Sequence, residues 1–170
     1  RQLSLQLHPA RLEHLGLAAA VRGFCKEMES THGLTIEFAE ANVPANLPAA
    51  TSLNIYRIVQ ESLQNVVKHS GATKASVILT GNGNALGLTI SDNGRGFDPK
   101  TAAPEGSLGL ISLRERIRLL HGSLSIDSRR ENGTRIQATI PLPRPGTEDD
   151  GTGANHSESD GRNKGLYSNK

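Results

Sequence analysis

Every segment of this chain that reads as a β-strand carries a single apolar face, and this restricts the fold more than any other feature. Leu34, Ile36 and Phe38 alternate with Thr35, Glu37 and Ala39. Leu86, Leu88 and Ile90 share one side of the segment 85–92, as do Leu124 and Ile126, and then Ile136, Ala138 and Ile140. Successive strand residues point to opposite faces, so segments of this kind bury one side only. A sheet covered on both faces would show continuous apolar runs instead. Between the strands the period changes. Ile55, Ile58, Val59, Ser62 and Val66 form a helical stripe within 51–70, and a further helix is predicted over 108–120. The order is helix, strand, helix, two strands, loop, helix, two strands. The expected fold is α+β: a two-layer α/β sandwich with a mixed sheet of about five strands, helices on one face, and an N-terminal helical segment.

Turn-forming residues divide these elements. Leu3, Leu7, Leu12, Leu15, Ala19 and Phe24 suggest helix over 1–32, interrupted at Pro9 and ended by His32-Gly33. Pro44 and Pro48 mark a loop, Thr51 or Ser52 is expected to cap the next helix, and Gly71 to end it. Gly81–Asn84 and Glu131–Gly133 are the expected hairpin turns. Residues 93–106 are too rich in Gly and Pro for regular structure, and His121-Gly122 closes the last helix. After Pro145 the chain is mostly Gly, Asp, Glu, Ser and Asn. Such a composition cannot bury enough surface to offset its ordering entropy. Three parts are therefore expected: 1–32, a central domain over 33–143, and a disordered polar tail over 144–170.

Several functional classes are excluded early. The net charge is +2 with both signs interspersed, and there is no basic stripe with interleaved aromatics, so a nucleic-acid partner is not expected. Cys25 is the only cysteine; it rules out an internal disulfide or multi-cysteine zinc site and is expected to be a small buried side chain. No apolar run approaches the roughly 20 residues that span a bilayer, and no signal peptide is visible. The reading is a cytoplasmic domain, compatible with a membrane anchor elsewhere in a parent protein. Because the sequence opens at Arg1 rather than methionine, a fragment of a longer chain is expected.

Three clusters carry chemistry. Glu61, Asn65 and Lys68 are spaced to share one side of the helix at 51–70, roughly opposite its apolar stripe. Taken alone, this is an ordinary solvated helix face. Asp92 follows Leu86, Leu88 and Ile90 at period two, which points its carboxylate toward the core. That is costly unless something donates hydrogen bonds to it, and an amino group on a bound ligand would serve. Gly94 and Gly96 then permit backbone conformations and close approaches that side chains forbid. A calcium loop is a poor alternative, because Gly96 and Ala103 stand where oxygen ligands would be needed. The third cluster, Gly106 to Arg116, is a glycine-containing segment entering a helix N-terminus, where free N–H groups favour anions. There is no P-loop, and Gly81 and Gly83 sit in a hairpin turn rather than between strand and helix, so a dinucleotide fingerprint is absent.

Together these clusters resemble the nucleotide-binding boxes of sensor histidine kinases. Glu61-Ser62-Leu63-Gln64-Asn65-Val66-Val67-Lys68-His69 is similar to their N box, Asp92-Asn93-Gly94-Arg95-Gly96-Phe97 to the G1 box, and Ser107-Leu108-Gly109-Leu110 to the G2 box. Gly133-Thr134 resembles the Gly-Thr that precedes the last strand. Arg114-Glu115-Arg116 and the Leu7-His8-Pro9…Leu15-Gly16-Leu17 lead-in are similar to the subfamily pairing with NarL-type response regulators. The resemblance covers roughly residues 1–142 and implies a Bergerat-type ATP-binding fold. It implies that Asp92 accepts a hydrogen bond from the adenine amino group, that Asn65 holds Mg²⁺, and that Glu61 orients a water or acts as general base. Lys68 and His69 would offset phosphate charge. Gly94 and Gly96 would let a loop fold over the nucleotide, and Gly109 would bring backbone N–H groups to the phosphates, with Leu110 and Thr134 also in the nucleotide site.

The resemblance also implies that phosphate passes from ATP to a histidine on a dimerisation domain, in a homodimeric parent protein, and then to a response regulator. The acceptor itself is not found: His8 precedes Pro9 and His14 precedes Leu15, where an acidic residue would be required. Residues 1–8 are read as the end of the dimerisation helix. Ser107 departs from the glycine common at its position and predicts a stiffer lid. The alternatives are a serine kinase of the anti-sigma-factor type, with the same fold, and a degenerate non-catalytic nucleotide-binding scaffold.

Overall fold

The computed structural model describes Leu12, residues 14–97 and residues 108–142. The expected break at Pro9, the dimerisation-helix tail over 1–8, the segment holding Gly106 and Ser107, and the polar tail over 144–170 lie outside the described residues. Within them the elements are α1 (Leu17–His32), β1 (Thr35–Ala41), α2 (Ala49–Asn65), β2 (Lys74–Gly81), β3 (Ala85–Asp92), α3 (Leu108–Leu119), β4 (Ser123–Ser128) and β5 (Thr134–Pro141). A π-helical turn, Val66–Ser70, continues α2.

The strands form one five-stranded sheet in the order β1-β2-β3-β5-β4. β1 and β2 run parallel and every other pair is antiparallel, so the sheet is mixed. The one-sided patterning holds throughout. Val77, Leu79, Leu88, Ile90, Ile136 and Ala138 are buried on the helix-covered face, aligned across strands as Val77–Ile90–Ile136 and Leu79–Leu88–Ala138. The intervening Thr80, Arg135, Gln137 and Thr139 are exposed. Each fully buried aliphatic side chain contributes roughly 1.5–3 kcal/mol of transfer free energy, which is enough to fix the register, since a one-residue slip would expose the whole set.

The helices lie on that face, with α2 central. Its predicted stripe of Ile55, Ile58, Val59, Ser62 and Val66 is buried, and so are Tyr56, Gln60 and Leu63, because α1 and α3 flank it. The Phe24 ring of α1 meets Tyr56 edge-on at 5.9 Å, within the range favoured for aromatic pairs. The buried face of α1 is Leu17, Ala20, Val21, Phe24, Cys25 and Met28. Leu15, expected in that stripe, is 62% exposed, because Gly16 (φ 78) separates it from α1 and resets the helical phase. Burial pushes the Cys25 thiol up to about 12, so it is an inert core residue.

Gly33 and Gly71 close their helices in the left-handed conformation, as expected. The N-terminus of α2 differs from expectation: it begins two residues before Thr51, behind Pro48, without a side-chain cap. Pro48 itself occupies the N-cap position, where it has no side-chain acceptor to offer, and its carbonyl accepts the first helical bond from the Ser52 amide at 3.0 Å.

Candidate functional site

The site forms where α2 ends above the carboxyl end of β3. In the π-helical turn the Ser70 hydroxyl donates to the Val66 carbonyl (2.7 Å) and accepts from the Ala72 amide (3.0 Å), closing the turn before Gly71. The Ser70 carbonyl then accepts the Arg95 amide at 2.9 Å, which ties the loop after β3 to the end of α2. Gly94 makes this approach possible: a Cβ there would lie 2.5 Å from Ser70 Cβ and 2.6 Å from the Ser70 carbonyl oxygen. Asn93 secures the same junction, with its Oδ1 accepting the amides of Thr73 (3.0 Å) and Lys74 (2.9 Å) and its Nδ2 donating to Thr73 Oγ1 (3.0 Å).

The other flank of the loop rests on the β4–β5 turn. Gly96 has φ 57, and a Cβ on it would run into the Arg129 and Gly133 carbonyls. The Arg95 carbonyl accepts the Glu131 amide at 2.7 Å, and the Phe97 amide donates to the Ser128 hydroxyl at 2.9 Å. Ser128 is buried and also lies within hydrogen-bond distance of the Gly133 carbonyl (3.1 Å) and the Thr134 hydroxyl (2.9 Å). The segment 93–97 is therefore held from both sides.

This framework encloses a cavity of about 220 Å³ whose walls include Ile90, Ile136, Val66, Leu110 and Phe97, with Asp92, Asn65, Ser62, His69 and Thr134 as polar points. Apolar walls with a few convergent polar groups are the usual character of a small-molecule site. Asp92 is half-buried, and desolvation raises its pKa above the ordinary aspartate range, against the opposing effect of backbone N–H donors at Gly94 and Thr134. The Gly94 bond measures 2.8 Å to one carboxylate oxygen. A carboxylate so placed favours a further donor from a ligand.

Glu61 and Asn65 converge at the start of α3. A Cβ on Gly109 would lie 2.5 Å from Glu61 Oε1 and 2.9 Å from Asn65 Nδ2, so a side chain there would have to displace the ends of these two side chains. Asp92, Gly96, Asn65, His69, Leu110 and Thr134 thus line one cavity, with Gly94 packed beside Asp92 and Gly109 beside Asn65. Lys68 stands exposed on the π-helical turn and is not among the lining residues. Glu61 borders Gly109 rather than the cavity wall.

Ser62, Ser70, Arg95 and Phe97 line the cavity without having been read as site residues. For Ser62 a signal existed, a hydroxyl inside an apolar stripe. For Ser70 none did, because its position depends on the π-helical turn. Among the described residues no group of three or more His, Cys, Asp or Glu is placed to hold a metal ion. The oxygens of Glu61 and Asn65 suit Mg²⁺, a hard cation commonly held by one or two protein oxygens, water and substrate phosphates.

Fold and site define a nucleotide-binding domain of the Bergerat type, and comparison with known proteins agrees. Residues 50–144 match the family of histidine kinase-, DNA gyrase B- and HSP90-like ATPases. The chain belongs to that family. It is 32% identical over 142 residues to the signal transduction histidine-protein kinase/phosphatase DegS of Brevibacillus brevis, covering 84% of this chain and 36% of DegS. It is 35% identical over 143 residues to the sensor histidine kinase MctS of Rhizobium johnstonii, covering 83% of this chain and 31% of MctS. The chain spans about a third of the length of these relatives. Among solved structures, the histidine kinase domain of the Erythrobacter litoralis EL346 blue-light activated histidine kinase superposes with a TM-score of 0.60 at 25% identity, covering 74% of this chain and 61% of that one. The mycobacterial sensor histidine kinase MprB shares the fold at a TM-score of 0.53 and 19% identity, over 74% of this chain and 94% of that one. The chain is an ATP-binding domain of the kind found in sensor histidine kinases.

Proposed function

We propose that this domain positions ATP so that its γ-phosphate is transferred to a histidine on a dimerisation domain of the same parent protein, for relay to a response-regulator aspartate. The observation that carries the reading is the half-buried Asp92 carboxylate at the wall of an apolar cavity, with Glu61 and Asn65 converging nearby under Gly109.

In this reading the adenine ring lies between the apolar walls and its amino group donates to Asp92. Leu110 and Thr134 bound the base, while Gly94 and Gly96 keep the loop close to it. Asn65, with Glu61, would hold Mg²⁺, which when bound supplies charge neutralisation at the phosphate oxygens. Glu61 takes the proton released by the attacking imidazole, or orients a water beside it. Free N–H groups at the start of α3 face the phosphates across Gly109, and Lys68 and His69 add positive or hydrogen-bonding character at the rim. Catalysis of this type rests on positioning and electrostatics.

The similarity to DegS and MctS supports a histidine acceptor over a serine acceptor. Arg114-Glu115-Arg116 on α3 and the Leu15-Gly16-Leu17 lead-in support a regulator of the NarL type, and the kinase reading implies a homodimeric parent. No helix among the described residues is long and apolar enough to cross a membrane. A cytoplasmic location, where ATP is available, suits the proposed reaction and is compatible with an anchor elsewhere in the parent.

The test mixes the chain with γ-labelled ATP, Mg²⁺ and a dimerisation domain carrying its histidine. Acid-labile label on the dimerisation domain is expected. Asn65→Ala should abolish it while leaving the circular dichroism spectrum unchanged. Transfer that survives Asn65→Ala would refute the metal assignment, and label on a serine instead of a histidine would refute the reaction.

A further inference from the structure

Ser62 is a polar residue in an apolar place. It lies on α2 within the stripe that faces the sheet, it is 1% exposed, and its hydroxyl has no hydrogen-bond partner among the described residues. A helical serine often satisfies itself on the carbonyl one turn earlier; here it does not. A buried hydroxyl left unsatisfied costs roughly 1–3 kcal/mol, so an alanine would serve the core better. The other buried group without a partner, Gln60 Nε2, belongs to a residue that does not line the cavity, whereas Ser62 lines it together with Asp92.

We propose that Ser62 is a base-recognition residue, its hydroxyl donating to one of the two adenine ring nitrogens, N1 or N7, that lie beside the amino group. The inference rests on the ATP-binding reading above. Adenine presents a donor, its amino group, beside two acceptors, N1 on one side and N7 on the other. Asp92 is an acceptor and answers only the donor. A hydroxyl is the nearest complement for an adjacent ring nitrogen. The oxygen is shielded in the unliganded cavity wall, and movement between staggered χ1 positions turns it toward the base. Asp92 and Ser62 together then read a donor–acceptor pair that guanine, with a carbonyl at the equivalent carbon, does not offer.

The experiment is a calorimetric comparison of the intact chain and Ser62→Ala, each titrated with ATP, 1-deaza-ATP and 7-deaza-ATP in the presence of Mg²⁺. The intact chain should lose roughly three- to tenfold in affinity for one deaza analogue. Ser62→Ala should bind ATP with about that same deficit and show no further loss with that analogue. Thermal unfolding without nucleotide supplies the second readout: Ser62→Ala should be as stable as the intact chain or more so, whereas a purely structural serine would lower stability and affinity together. If Ser62→Ala retains full ATP affinity, or both proteins lose equally with each analogue, Ser62 is not a recognition residue and the ATP reading stands. If the intact chain takes up no ATP, both the reading and this inference fail.

Discussion

At the scale of single residues, Asp92 links fold and function through opposed demands. The end of β3 turns its carboxylate inward, and burial raises its pKa despite the N–H donors at Gly94 and Thr134. The native state therefore holds this proton more tightly than the unfolded chain does. Stability from this group is fully present below the ordinary aspartate range and is lost as pH rises through the raised native value, beyond which it is level. Asp92→Asn removes the titration. Melting temperatures of the unliganded proteins across an acidic pH series should show a smaller fall for the variant, and at neutral pH the variant should be no less stable. Its affinity for ATP should drop roughly 10- to 100-fold, because a charge-assisted acceptor is lost and an amide donor faces the adenine amino group. A variant that binds ATP normally would remove Asp92 from the site. The inward placement of this residue was legible in the sequence from period-two alternation alone. The absence of Lys68 from the cavity wall was not, because the helix there widens into a π-helical turn that departs from the spacing used to place it beside Glu61 and Asn65.

At the scale of elements, strand and helix periodicities predicted each strand and α-helix, while the π-helical turn and the connections that shape the site were not specified by them. Antiparallel pairing of β3 with β5 brings Asp92 opposite Thr134. Alternation within a strand does not specify its neighbour. The β4–β5 turn was foreseen at Glu131–Gly133, but its role in supporting the loop at Arg95–Phe97 was not. Gly133 shows that role in energetic terms. Its φ is 69, and a Cβ would run into the Asp92 carbonyl and lie 3.3 Å from Asn93 Cα. Both the left-handed backbone and the collision oppose a side chain, so Gly133→Ala should cost roughly 1–3 kcal/mol. Calorimetric melting should register this as a fall of roughly 5–15 °C, with weaker ATP binding because the ends of β3 and β5 move. An unchanged melting temperature would show that this junction is looser than described.

At the scale of the whole molecule, a sheet with one polar face leaves a single layer of helices to build both core and site. α2 serves both: Ile55, Ile58, Val59 and Leu63 are fully buried, while Glu61 and Asn65 meet α3 at Gly109. A sequence stripe marks such a helix as amphipathic, yet α1 and α3 flank it and bury Tyr56 and Gln60 as well. The buried part of α2 is accordingly wider than its stripe, while Glu61 and Asn65 stay only partly covered where α3 approaches. The most direct test is a crystal structure of the chain with Mg²⁺ and a non-hydrolysable ATP analogue. The account predicts the adenine between Ile90 and Leu110 with its amino group on Asp92, and the phosphates running toward Asn65 and Gly109. A nucleotide bound elsewhere, or an adenine that leaves Asp92 without a ligand contact, would contradict it.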